Sequence, residues 1–215
     1  MNEPLEIHPS AQRAAVALCD ALSIAAGSRY VIAVGGESGS GKSTTALALK
    51  AEFEDRGMRA EVLHMDGYFK LPPRENHQAR LDSLDWVGLN EVRLDLLQDH
   101  LDAFRRGASR ILVPEVDYFA NELSVRELDL SDVDVLIAEG TYTLYLTGLD
   151  AGIFMPTTYQ QTRAVRMKRV REPYDPFVER VLHLEHALVR ASAPRANWVV
   201  HPDFSVEAFT PSLPH

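Results

Sequence analysis

Only one cysteine occurs among the 215 residues. Cys19 cannot close an internal disulfide, so nothing in the chain asks for an oxidising compartment, and a lone thiol in an apolar stretch reads as a small buried side chain. Basic residues are also scarce: 22 Lys and Arg stand against 31 Asp and Glu, a net charge of −9. That balance excludes a broad nucleic-acid-binding surface and leaves cationic chemistry to local clusters. No apolar run reaches the roughly 20 residues that span a bilayer. The stretch 11–27 is interrupted by Arg13, Asp20 and Ser23, and Glu3 and Glu6 stand where a leader peptide carries basic residues. It reads as an amphipathic helix opened by Pro9, with Ser10 as its N-cap. The expectation is a cytoplasmic protein with neither membrane nor nucleic-acid partner; oligomerisation stays open. Apolar residues make up 46% and charged residues 25%, which excludes disorder, and no Pro/Gly/Ser-rich linker divides the chain. A single domain over residues 1–215 is expected.

What is present starts with residues 35–44, Gly-Gly-Glu-Ser-Gly-Ser-Gly-Lys-Ser-Thr. Within them Gly36-x4-Gly41-Lys42-Ser43 fits the phosphate-binding loop pattern. Glycines let the backbone curl until successive N–H groups point inward, and the start of a helix adds partial positive charge. Gly36, Ser38, Gly39, Ser40, Gly41, Lys42, Ser43 and Thr44 are the expected nucleotide contacts. Lys42 would meet the β and γ phosphates of ATP, and the Ser43 hydroxyl would meet Mg²⁺. Context agrees: residues 30–34 are a β-branched apolar run fit for a strand buried on both faces, and residues 43–53 carry helical spacing before Gly57.

The rest alternates. Strands are expected at 60–65, 110–113, 133–138, 152–155 and 197–200, with helices at 88–106, 159–171 and 176–191, leaving a polar tail from His201. Alternation of this kind predicts an α/β protein of the P-loop NTPase fold, an open parallel sheet with helices on both faces. Right-handed crossovers put all strand ends on the phosphate-loop edge, so Asp66, Asp117 and Glu139 should gather near the γ phosphate. Each has a rival reading: Asp66 as a turn former before Gly67, Glu139 as a helix cap, and Asp117 as a structural residue.

Gly-Ser-Gly-Lys-Ser, Met65-Asp-Gly-Tyr-Phe-Lys70 and Ala138-Glu-Gly140 together resemble the uridine kinase and phosphoribulokinase-like branch of the P-loop kinases. The resemblance runs over residues 30–200. It implies an ATP- and Mg²⁺-dependent enzyme that phosphorylates a hydroxyl of a small metabolite, with Asp66 as general base lying near the metal and Glu139 helping to hold it. Ser43, Asp66 and Glu139 are thus the metal set. It also implies a lid over roughly 157–176.

Arg163, Arg166, Lys168, Arg169 and Arg171 make the lid segment the chain's most basic. Arg163 and Arg166 are three apart, so one helical face can present both to the triphosphate. Arg166 joins Asp66 and Lys42 as catalytic, Arg163 contacts the nucleotide, and a solvated basic face is the alternative. The expected acceptor contacts are Tyr68, Asp85, Asp117, Tyr118, Asn121 and Arg171. Asp85 falls where the family places a hydroxyl-binding aspartate; a loop aspartate capping the next helix is its rival. The family's tyrosine and histidine after the third strand are replaced here, and Glu172-Pro-Tyr-Asp-Pro176 follows the lid. These departures point away from uridine, while the position of Asp85 keeps a polyol, sugar or ribosyl group among the expected acceptors. Glu179, His183 and His186 share a helical face, which reads as packing or surface more readily than as a metal site. A regulatory P-loop NTPase or nucleotide-binding module is the alternative function; the chain lacks the Asn-Lys-x-Asp run of GTPases and the Leu-Ser-Gly-Gly run of ABC ATPases.

Overall fold

Tyr30–Gly36 (β1) is buried along nearly its whole length. Only a strand covered on both faces has use for such a run. In the computed structural model, which describes residues 8–168 and 176–209, it lies inside a six-stranded sheet. Ala60–His64 (β2), Val135–Gly140 (β5), β1, Ala151–Met155 (β6) and Trp198–Val200 (β7) follow one another in space, each pair parallel. Val206–Ala208 (β8) closes the sheet antiparallel to β7. It falls in the polar tail, where no apolar alternation announced it.

Two apolar layers sandwich the sheet. On one face Pro9–Leu22 (α1) and Lys42–Asp55 (α2) bury Leu18, Leu49 and Phe53 against Ile32, Val34 and Ile137. Full burial of each such side chain contributes about 1.5–3 kcal/mol. On the other face Leu94–Arg105 (α4) buries Leu97, Leu101 and Phe104 against Val31 and Leu136. The expected N-cap of α1 moves by two residues: His8 is the cap, its Nδ1 accepting from the Ser10 amide at 3.3 Å, with Pro9 filling a first-turn position.

Three expectations are corrected. The third strand does not join the parallel sheet. Arg110–Asp117 (β3) pairs antiparallel with Glu122–Asp129 (β4) in a separate hairpin. Its alternation of exposed and buried residues suits one covered face, unlike the continuously buried β5. The helix expected over 88–106 is broken, because Glu91 turns inward in a short 3-10 turn and Val92 bridges to Phe69 before α4 begins. Pro73–Asp82 (α3) was not foreseen; it buries only Asn76 and so carries no apolar stripe.

Two further helices, Arg163–Lys168 (α5) and Pro176–Ser192 (α6), end the helical set. Among the described residues no helix is long and apolar enough to cross a membrane.

Candidate active site

Parallel strands bring Gly36, His64 and Gly140 to one sheet edge. Between β1 and α2 the loop turns through positive φ at Gly39 (79°) and Gly41 (98°), a region that side chains other than glycine rarely enter. Lys42 Nζ donates to the Glu37 carbonyl at 2.9 Å, which lays the ammonium across the loop mouth. The Ser40 hydroxyl is buried and makes no hydrogen bond among the described residues. A buried hydroxyl without a partner, inside a glycine loop at a helix start, fits a polyphosphate.

Next to the loop, the Ser43 hydroxyl donates to Glu139 Oε1 at 3.2 Å, and His64 Nδ1 lies 2.7 Å from the same oxygen. Burial opposes ionisation of Glu139, but the His64 hydrogen bond and the Lys42 charge outweigh it and hold the carboxyl below its usual range. The Glu139 bond raises His64 in turn. Among the described residues no three His, Cys, Asp or Glu gather into a self-sufficient ion cage. Ser43, Glu139 and nearby Asp66 are hard oxygen donors, which suit a Mg²⁺ ion that keeps water and phosphate oxygens for its other positions.

Asp66 is the second residue of the Met65–Tyr68 turn, which directly follows β2. Its Oδ2 accepts the Tyr118 hydroxyl at 2.8 Å, so the hairpin reaches across to hold the carboxylate. Gly67 explains why that crossing is so close: a Cβ there would stand 2.3 Å from the Pro114 carbonyl oxygen. No side chain fits, and the Asp-Gly step is a packing requirement as well as a turn.

Several expected acceptor contacts lie elsewhere. Tyr68 points into the core, its hydroxyl 2.8 Å from His100 Nδ1. Asp117 Oδ1 accepts from the Phe119 and Ala120 amides, the structural turn role. Asn121, at φ 59°, accepts from the Arg74 amide and donates to Glu75, tying the hairpin tip to the start of α3. These three are taken by the fold. Asp85 stays exposed in the short Leu84–Trp86 turn and caps no α-helix. Arg171 and Arg169 lie outside the described residues.

The lid arginines are parked on a carboxylate. Arg166 Nη2 donates to Glu179 Oε1 at 3.2 Å and to the Tyr159 carbonyl at 2.9 Å, while Arg163 Nε lies 3.9 Å from the same Glu179 oxygen. Arg166 packs over the glycine loop: a Cβ on Gly39 would meet its Cγ at 3.0 Å. Thr162 donates to the Ser38 carbonyl at 2.8 Å. Glu37, a variable position in the loop motif, is buried and joins both sides, accepting from the Tyr159 amide at 2.5 Å and lying 2.7 Å from His186 Nδ1. Glu179 and His186 thus serve different partners and His183 is exposed, so the helical trio does not form an ion site.

Glu37 and His64 gave no motif signal, and Glu179 stood out only beside His183 and His186, not as a partner of the arginines. A buried charge cluster behind the site gave none either; there Arg80 meets Glu91 in a two-pronged contact at 2.6 and 2.8 Å and reaches Glu185 at 3.1 Å.

Among curated proteins, the chain is 31% identical over 192 residues to the bifunctional alpha-galactosidase/sucrose kinase of Mediterraneibacter gnavus, covering 83% of this chain and 20% of that protein. It is 28% identical over 118 residues to the uridine kinase of Ureaplasma urealyticum, covering 55% of this chain and 56% of that one. The chain thus spans a fifth of the first relative and about half of the second. The fold is that of the phosphoribulokinase from Rhodobacter spheroides (TM-score 0.61, 15% identity, 81% of this chain and 70% of that chain). It is also that of the D-glycerate 3-kinase from Cryptococcus neoformans (TM-score 0.57, 15% identity, 94% of this chain and all of that one). Residues 31–170, which hold the phosphate loop, the Asp66 turn, the hairpin and Glu139, match the family description as one block, and the chain belongs to the Phosphoribulokinase / Uridine kinase family.

Proposed function

We propose that this chain transfers the γ-phosphoryl group of ATP to a hydroxyl of a small sugar or polyol. The observation that carries the reading is Asp66, fixed by Tyr118 at the strand edge that also carries Lys42, Ser43 and Glu139. A carboxylate there accepts the proton of the attacking hydroxyl as its oxygen bonds to phosphorus; the bond to the bridging oxygen breaks, and ADP leaves. Loop N–H groups and Lys42 bind the phosphates and spread their charge. Ser43, Glu139 and Asp66 would hold Mg²⁺, which screens the phosphate oxygens when bound. Arg163 and Arg166 exchange Glu179 for phosphate as the lid closes, which excludes water and suppresses hydrolysis.

A relative 31% identical over 83% of this chain carries a sucrose kinase activity in its name, which supports a sugar over a nucleoside. Of the expected acceptor contacts, Tyr68, Asp117 and Asn121 are occupied by the fold. The buried, unpaired Cys19 and the absence of a membrane-crossing helix among the described residues favour action in the cytoplasm, where ATP is abundant.

The test incubates the chain with ATP and Mg²⁺ and a panel of sugars, polyols and nucleosides, and separates the products. One phosphorylated sugar or polyol per ADP is the expected outcome. ADP formed without any phosphorylated acceptor contradicts the proposal.

A further inference from the structure

Behind Asp66 lies a group of buried polar side chains that the transfer step does not use. Glu91 is wholly buried and fully engaged: it takes both prongs of Arg80, the Asn76 amide at 2.8 Å and the Gly88 N–H at 2.9 Å. Trp86 Nε1 donates to Asn76 at 2.8 Å and completes that side. Every hydrogen-bonding group there has a partner.

The other half of the cluster is incomplete. Glu185, on α6, is buried and receives only the single Arg80 contact to Oε1 among the described residues. Tyr142, two residues beyond β5, is fully buried, and its hydroxyl stands against the Glu185 carboxyl without a well-formed hydrogen bond to it or to any other described residue. Burial drives the Glu185 carboxyl up to about 7, against the pull of Arg80. The Tyr142 amide donates to Met65 Sδ at 3.3 Å, one residue before Asp66, and His186, next to Glu185, lies 2.7 Å from Glu37 of the phosphate loop, so the under-satisfied half of the cluster adjoins the site. Buried polar groups left without partners are costly and uncommon in native proteins. Two side by side, next to a site that must seat an alcohol, call for one complementary group. An alcohol hydroxyl supplies it, because it donates and accepts at once.

We infer that Glu185 and Tyr142 form a specificity subsite for a second, non-reacting hydroxyl of the acceptor, which donates to the Glu185 carboxylate and accepts from the Tyr142 phenol. The inference rests on the transfer reading above and narrows it: the acceptor is polyhydroxylated, with one hydroxyl held at Asp66 and another seated on Glu185. α6 therefore touches both parts of the site: Glu179 meets Arg166, His186 meets Glu37 of the phosphate loop, and the neighbouring Glu185 forms this subsite.

Tyr142→Phe separates a binding role from a structural one. A buried phenol without a well-formed hydrogen bond contributes little to the ligand-free fold, so the variant melts close to the wild-type temperature or above it. Toward the sugar or polyol that wild type phosphorylates best, its acceptor KM rises at least tenfold, while its ATP KM stays within about twofold, the pattern of a lost hydrogen bond to substrate. Deoxy analogues of that acceptor supply the cycle: for the one lacking the subsite hydroxyl, wild type and Tyr142→Phe become equal. Glu185→Gln, which keeps the side chain's shape, raises the acceptor KM with the same analogue dependence. A lower melting temperature for Tyr142→Phe with an unchanged acceptor KM assigns the hydroxyl to a buried water or packing role and overturns the inference. Efficient transfer to an alcohol carrying only the reacting hydroxyl overturns it too, while leaving the transfer reading intact. Failure of wild type to phosphorylate any alcohol removes both.

Discussion

Lys42, Glu139 and Asp66 are each held by a contact that says what its removal would do. Lys42 touches backbone and charged groups around the loop and little of the core, so Lys42→Ala should melt within a few degrees of wild type. ATP-dependent turnover should fall by about 10² or more, because the charge facing the phosphates is gone. Wild-type turnover in the folded variant would remove the assigned role. Glu139→Gln keeps the hydrogen bond to Ser43 in shape and deletes the charge that draws a cation. The Mg²⁺ concentration for half-maximal activity should rise on the order of tenfold, and excess Mg²⁺ should restore most of the rate. An unchanged Mg²⁺ titration would make Glu139 a structural partner of His64. At this scale the placement of the phosphate loop, Asp66 and Glu139 at one sheet edge was legible, because it follows from local spacing and strand order. Glu37, Glu179, Glu185 and Tyr142 were not. Their roles arise from partners more than a hundred residues away or across helices, as with Glu37 and His186.

Among the elements, α5 and α6 behave as a pair, the first carrying cations and the second the carboxylate that parks them. Arg166→Ala should lower kcat by about 10³ if the guanidinium leaves Glu179 for transferring charge, with a smaller change in ATP affinity. Full kcat at saturating ATP would leave Arg166 as a clamp on the ground state only. α1, with its apolar face, α2, announced by the phosphate loop ahead of it, and β5, a continuous apolar run, were readable, with ends that differ from those observed by up to about five residues. The hairpin was half seen, since β4 exposes most of its residues and offers no continuous apolar signal. Missing it misplaced β3, which had been assigned to the sheet although its one-faced burial marks it for a ribbon. Tyr118 could be placed near the acceptor side only in name; its bond to Asp66 depends on the ribbon crossing Gly67.

For the whole molecule, buried charge behind the site ties stability to pH. Glu185 is raised to about 7 in the fold and returns to an ordinary carboxylate range, near 4.5, on unfolding. Between those values the folded state binds more protons than the unfolded one, so this contribution is complete below the unfolded value and is lost as pH rises through 7. The ligand-free wild type should therefore lose more melting temperature from pH 5 to pH 8 than Glu185→Gln does; equal slopes would contradict the assignment. The parallel order of strands, which collects the reacting groups at one edge, makes Asp66 the centre of the account. Asp66→Asn keeps size and can still pair with Tyr118, but it cannot accept the acceptor's proton. Single-turnover transfer from ATP to the sugar or polyol that wild type phosphorylates, measured with ATP binding and thermal melting on the same preparation, tests it directly. The account predicts transfer slowed by roughly 10² to 10⁴ with ATP binding and melting preserved. Transfer at the wild-type rate by a folded, ATP-binding Asp66→Asn would contradict it.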